Sequence, residues 1–213
     1  MSSSATPRRY DGTRRREAAQ ANRRLVVEAA SRLFVERGWG GTSMRDVARE
    51  AGVSVETVYS SVGTKLDLLR VAMDVAVVGD DDPVPLSDRP EWRAVVDGPT
   101  AVDRARAVGD LLVRLHARTA WLHQALRHAA VGDPDLATML QKDFDDIREQ
   151  NRQGLSAVAR REPTEEELDL VMSTLSNETY LMLTEHRHLT HADYREFVTT
   201  AITRLLGLEE GTP

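Results

Sequence analysis

The chain holds 213 residues, 41% of them hydrophobic and 29% charged, with no cysteine. That balance supports one large domain, or a small and a medium one, and excludes disorder as the main state, a disulfide scaffold and a cysteine-based zinc site. The net charge of -6 hides a division: residues 1–70 carry 13 Lys and Arg against 8 Asp and Glu, and residues 71–213 carry 15 against 26, which fits a basic nucleic-acid-facing part on an acidic body and equally a solvated tail before an acidic domain.

The opening MSSSATPRRY has no apolar stretch, so no secretory signal is expected, and no apolar run reaches the roughly 18–20 residues of a membrane span. A cytoplasmic protein without membrane contact is the expectation. Residues 1–13 read as disordered. Leu25, Val26, Ala29, Ala30, Leu33 and Phe34 then recur at helical spacing up to a stop at Gly38, followed by Trp39. Alternating β-branched runs bounded by tight-turn dipeptides are lacking, so the chain reads as all-α.

Residues 41–69, GTSMRDVAREAGVSVETVYSSVGTKLDLL, are the informative segment. Thr42 or Ser43 can cap a short helix, with Asp46 reciprocating to Ser43. Ala48 faces inward, Gly52 supplies a sharp turn that a left-handed residue makes without a Cβ, and Ser54 caps the next short helix, whose Val58 faces inward again. A small residue, a glycine four later and a branched residue ten later suit two helices crossing closely at a steep angle. The earlier long helix must supply the third side.

Residues 79–99 carry four of the eight prolines and three successive aspartates, the best candidate for a boundary or long loop. Thr100 with Asp103 starts a helix, and a second stretch holds Trp121, Leu122, Ala125 and Leu126. Asp133-Pro134 restarts a long helix that Pro163 ends, and Thr164 with Glu167 caps one expected near 165–186. A last helix carries Tyr194, Phe197, Val198, Ala201, Ile202, Leu205 and Leu206 up to Gly207.

Gly38-Trp39, Thr42-Ser43, Asp46-Val47-Ala48, Ala51-Gly52-Val53-Ser54, Thr57-Val58-Tyr59 and Lys65 with Leu68-Leu69 together resemble the DNA-binding part of TetR-type (tetracycline-repressor-like) regulators over roughly residues 20–75. Val62 departs from the aromatic residue common there. The resemblance implies a flexible basic arm at 1–17, a three-helix helix-turn-helix DNA-binding domain at 18–75 and a helical effector-binding and dimerisation domain at 76–213. It implies a repressor released from a palindromic double-stranded DNA operator by a small molecule. A helical DNA-binding or protein-interaction module without effector control is the alternative.

In a helix-turn-helix the second helix meets base edges with its N-terminal residues, here Val55, Glu56 and Thr57, with Ser60 and Ser61 further along. Glu56 either accepts from cytosine or faces the helix dipole. Arg45 can reach a guanine or a phosphate, and Thr42, Tyr59 and Lys65 suit phosphates. Ser43 and Ser54 complete the candidate DNA-binding set, and the arginines at 8, 9 and 14–16 suit a minor groove or a solubilising tail. For the effector, candidates are His116, Trp121, His123, Met139, Phe144 and Tyr180, each of which also reads as core. Leu168, Leu170, Val171, Met172, Leu175, Leu181 and Leu183 fall on more than one stripe, which suits a dimer surface or a helix buried in its own monomer. The resemblance implies a four-helix interface of the last two helices, with Leu168, Val171, Met172, Leu175, Met182, Phe197, Val198, Ala201, Ile202 and Leu205 as homodimer candidates. His186, His188 and His191 read as a loop cluster, so no metal and no cofactor is expected. A phosphate loop, a nucleophile elbow and a zinc-protease motif are all missing, so no enzyme is expected.

Overall fold

The computed structural model describes residues 12–80, 82 and 84–208. Every regular element among them is helical: α1 (Gly12–Arg37), α2 (Met44–Ala51), α3 (Val55–Val62), α4 (Lys65–Val78), α5 (Pro90–Asp97), α6 (Ala101–Ala130), α7 (Pro134–Ala159), α8 (Glu165–Thr174), α9 (Asn177–Leu181) and α10 (His191–Leu205). The all-α expectation holds.

Local chemistry explains most boundaries. Ser43, Thr64, Thr164 and Thr190 each cap a helix while the acidic residue three positions on binds the cap backbone in return. Gly52 ends α2 at φ 68°, a conformation that costs other residues strain. Asp133 accepts from the amides of Asp135 and Leu136, and Pro134 occupies the first position of α7, where no amide hydrogen is needed.

Two cores form. Val26, Val27, Ala30, Leu33 and Phe34 of α1 pack with α2, α3 and α4, and this cluster extends to Leu122 and Leu126 of α6 and Leu136 of α7. Leu25, expected on the inner face of α1, is exposed, and Val27 takes that place. The second core joins Val95 of α5, Ala105 and Leu111 of α6, Leu155 and Val158 of α7, and the inner faces of α8 to α10. Gly109 lets α10 lie close on α6: a Cβ there would stand 2.8 Å from Thr199 Oγ1 and 3.0 Å from the Arg195 carbonyl. Arg104 is buried with its Nε donating to the Val158 carbonyl and its Nη1 to the Gly98 carbonyl, each at 2.9 Å. These carbonyls lie at the C-terminal ends of α7 and α5, where acceptors lack helical partners and the dipole favours a cation.

Several expectations need correction. The arm expected over 1–17 is helical from Gly12 on, with Arg14, Arg15 and Arg16 on α1; Arg8 and Arg9 lie outside the described residues. The segment 79–99 holds a short 3₁₀ turn at Leu86–Asp88 and α5, which begins at Pro90. The helix expected over 165–186 is broken at Leu175 and Ser176, restarts as α9 capped by Ser176, and ends in a π-helical turn over Met182–His186. The break redirects the apolar stripes. Leu168, Val171, Leu175, Val198 and Ile202, expected at a dimer surface, are buried in this chain's own core. Met172, Phe197, Ala201 and Leu205 are only partly buried, and Met182 is exposed.

Candidate functional site

The helix-turn-helix segment presents one exposed face. Arg45 of α2 and Glu56, Tyr59 and Ser60 of α3 are exposed, and Tyr59 is 53% accessible. The rest of α3 holds this face in place. Val58 and Val62 are buried, and Val55 packs against the same core. Val62, the departure from the common aromatic, therefore fills an interior position. The Ser54 hydroxyl accepts from the Thr57 amide at 3.1 Å and lies 3.0 Å from the Thr57 hydroxyl. Ser60 and Ser61 donate back to the carbonyls of Thr57 and Val58. Arg23 of α1 donates to the Ser61 carbonyl at 2.7 Å and ties α3 to α1.

Glu56 lies at the N-terminus of α3. Its own backbone amide, then the Ser54 hydroxyl, hold its carboxyl below the usual range. On α2, hydrogen bonds from the Ser43 side chain and backbone, then from Arg49, lower Asp46 to about 2.

Two expected phosphate contacts are placed differently. Thr42 is buried, and its hydroxyl lies 3.0 Å from the Leu33 carbonyl and 2.9 Å from the Gly38 carbonyl. It closes the C-terminal end of α1 and does not face the outer surface. Lys65 donates from Nζ to the Trp39 carbonyl and stands 4.1 Å from the centre of the Trp39 ring, which itself stacks on Phe34. Its ammonium anchors α4 to the turn after α1, and burial holds its pKa below the ordinary lysine value.

A cavity of about 120 Å³ lies in the body between α5, α6, α7, α8 and α9. Of the six effector candidates, it brings together His116, His123 and Phe144. Trp121 lies apart, 44% exposed, in a cleft between α6 and the end of α1. Met139 packs on the first core. Tyr180 stands behind His116, with its ring against the rings of His116 and Tyr194 and its hydroxyl 3.1 Å from His191 Nε2. His188 sits in the left-handed region at φ 57°, and among the described residues no group of His, Asp or Glu is placed to hold a metal ion.

Residues missed in the sequence complete the cavity. Trp92 of α5 lines it, as do Asn177 and Glu178 of α9. The Thr119 hydroxyl donates to Asn177 Oδ1 at 2.8 Å, and Arg127 donates to Glu178 at 2.6 Å. Arg118 of α6 donates to the carbonyls of Ala76 and Val77 at 2.8 and 2.9 Å, gripping the C-terminal end of α4. The Ser-Asn-Glu-Thr run at 176–179 was a legible cap signal, whereas an arginine on a solvent face carries none.

Residues 26–72 match the model of the bacterial regulatory proteins, tetR family. The chain is 36% identical over 61 residues to the HTH-type transcriptional regulator TtgR of Pseudomonas putida, covering 29% of each protein. It is 40% identical over 70 residues to the HTH-type transcriptional repressor Rv3405c of Mycobacterium tuberculosis, covering 33% of this chain and 35% of that one. The match thus spans about a third of these relatives' length. In fold, the chain is similar to a TetR-family transcriptional regulator from Rhodococcus sp., at TM-score 0.64 and 16% identity over 87% of this chain and 98% of that one. A counterpart from Mesorhizobium loti matches at TM-score 0.64 and 16% identity, over 89% and 97%. No helix among the described residues is long and apolar enough to cross a membrane.

Proposed function

We propose that this chain, whose residues 26–72 match the model of the bacterial regulatory proteins, tetR family, is a DNA-binding transcriptional regulator that works as a homodimer on a palindromic operator and is released by a small molecule. The observation that carries the reading is the exposed face of Arg45, Glu56, Tyr59 and Ser60 on a reading helix held by the first core and by Arg23. Residues 18–75 are the reading unit and residues 76–213 the effector and pairing unit. Arg45 reads a base edge or a phosphate, Val55 and Thr57 stand at the groove-facing start of α3, and Tyr59 touches the backbone. The N-terminal amides of α4 attract a phosphate, while Lys65, held on the Trp39 carbonyl and ring, fixes the start of α4 in place.

The pairing surface is narrower than the sequence suggests. Phe197, Ala201 and Leu205 recur at four-residue spacing on α10 and remain partly accessible, as does Met172, with Met182 exposed nearby in the chain. These residues, not the buried Leu168, Val171, Leu175, Val198 and Ile202, meet the partner. Two heads on one face of B-DNA need centres about 34–36 Å apart or a multiple of it.

Release follows from one mechanical link. His116 and His123 of α6 line the cavity, and Arg118 of the same helix holds the end of α4. A molecule that favours a different placement of α6 shifts α4 and thereby the head spacing, by no more than its differential affinity for the two placements. Footprinting tests the reading: a short symmetric protection on one fragment supports it, and continuous coating of every fragment supports a DNA-packaging role instead.

A further inference from the structure

His116 stands in the wall of the body cavity and is 4% exposed. Its Nδ1 lies 2.8 Å from the hydroxyl of Tyr194, a fully buried side chain whose hydroxyl has no other partner among the described residues. A buried phenol must place its proton on an acceptor, and the one in reach is Nδ1. The reverse arrangement, with Nδ1–H donating to the phenol oxygen, strands the phenol proton in the interior, which is costly. Burial also lowers the pKa of His116 to about 4, so the ring is neutral at neutral pH. A neutral ring that accepts at Nδ1 carries its proton on Nε2.

Nε2 has no hydrogen-bond partner among the described residues. The covered side-chain atoms that lack a partner there are His123 Nδ1 and Nε2, Asp143 Oδ2 and Ser156 Oγ. His116 Nε2 is not one of them, so it keeps accessible surface, and the space that its ring lines is the cavity. His116 thus holds an unanswered donor toward the cavity, whereas His123 in the same wall offers a ligand nothing, both its ring nitrogens being covered. The rest of the wall sets the charge and the size. Leu112, Leu115, Ile147 and Met172 are apolar, and among the described residues no lysine or arginine lines the space. The one carboxylate in the wall, Glu178, is held by Arg127 at 2.6 Å. An anion would be buried without a counter-charge, and a cation would have to compete with Arg127. Asn151 and Asn177 bring amides, which suit a neutral polar group. In size, the cavity of about 120 Å³ is close to an apolar cavity of about 150 Å³ that takes benzene. One ring fits without rearrangement.

We infer that the effector is an uncharged single-ring molecule carrying a hydrogen-bond acceptor, such as a ketone carbonyl, which accepts from His116 Nε2–H while its ring packs on the apolar wall between α6, α7 and α8. The inference rests on the reading of the body as an effector unit.

The test is a titration of the full chain with cyclohexanone, toluene, benzoate and benzylammonium, followed by calorimetry and by nitrogen NMR of the labelled histidine rings. In the free chain the His116 ring should show its proton on Nε2. Cyclohexanone should move the Nε2 and Nε2–H signals, and toluene should leave them in place. Cyclohexanone and toluene should both bind about tenfold or more tightly than benzoate and benzylammonium. In His116→Phe the affinity for cyclohexanone should fall about tenfold relative to that for toluene, the worth of one hydrogen bond. Gly154 lines the cavity and a Cβ there meets nothing within 4 Å, so Gly154→Leu should fold, fill the space and abolish binding of both. If His116→Phe does not fold, the NMR signals, the order of the four compounds and Gly154→Leu still decide. A proton on Nδ1, an Nε2 signal unmoved by cyclohexanone, equal losses of cyclohexanone and toluene in His116→Phe, a charged compound binding tightest, none of the four binding, or binding undiminished in Gly154→Leu would each overturn the inference. Operator binding is measured separately by anisotropy. Ketone binding without operator release leaves the site standing and removes effector control; absence of operator binding removes the regulator reading and leaves the titration decisive for the site.

Discussion

Acidification probes the interior of the body through His116. This ring is buried, with Nδ1 2.8 Å from the Tyr194 hydroxyl and the Tyr180 and Tyr194 rings against it. Desolvation lowers its pKa from 6.5 to about 4, with Glu178 opposing and His123 adding to the shift. The neutral ring is therefore the folded form, accepting from the Tyr194 hydroxyl, whose own pKa burial raises. Above pH 6.5 the folded and unfolded chains are both neutral at this site and His116 costs nothing. As pH falls from 6.5 toward 4 the unfolded chain takes up a proton that the fold refuses, and stability drops by about 3 kcal/mol across that window. His116→Phe removes the titration. It also leaves the Tyr194 hydroxyl without its partner, an offset of about 1–3 kcal/mol that does not change with pH in this range. Urea unfolding of both proteins between pH 7.5 and 4 measures the difference. Asp46, Asp80 and Glu167, lowered to about 2 by their hydrogen bonds, titrate alike in both proteins and cancel. The expected result is a wild-type stability that falls about 3 kcal/mol further than that of the variant. Parallel curves would refute the burial argument for His116.

Arg45→Ala should cost about 1–3 kcal/mol on the preferred site and relax selection at one base pair per half-site; an unchanged preference in a randomised-operator selection would return Arg45 to a backbone contact. Arg118→Met should leave effector binding intact while weakening operator release, since the grip on the Ala76 and Val77 carbonyls is lost; release unchanged in an anisotropy titration would place the coupling elsewhere. Phe197→Asp should give a folded monomer in light scattering, whereas Ile202→Asp, in the core, should unfold the chain; a folded dimer carrying Phe197→Asp would move the pairing surface off α10.

The head was legible because its signals are local. The Ser43–Asp46 pair, Gly52, Ser54 and Val58 act within one or two turns, and each does in the fold what its type and spacing predict. Thr42 was misread because a hydroxyl suits a phosphate and a helix-end carbonyl equally, and only the folded turn brings the Leu33 and Gly38 carbonyls to it. The C-terminal surplus of apolar stripes was misread because it assumed one straight helix over 165–186. The break at Leu175 and the π-turn after Leu181 rotate the second stripe back onto the same core. Within the cavity, His123 and Phe144 were legible as buried polar and aromatic residues, but Asp143 and Glu178 lie on different helices and meet His123 only through the packing of α6, α7 and α9.

We expect the α2–α3 faces of two paired chains to read a two-fold symmetric duplex together. In vitro selection from randomised duplexes by the full chain tests it directly, with the spacing of enriched half-sites as the readout. The expected product is an inverted repeat whose half-site centres lie about one helical turn, 34–36 Å, or a multiple of it apart. Enrichment of a single unpaired site, or of no sequence at all, would contradict it.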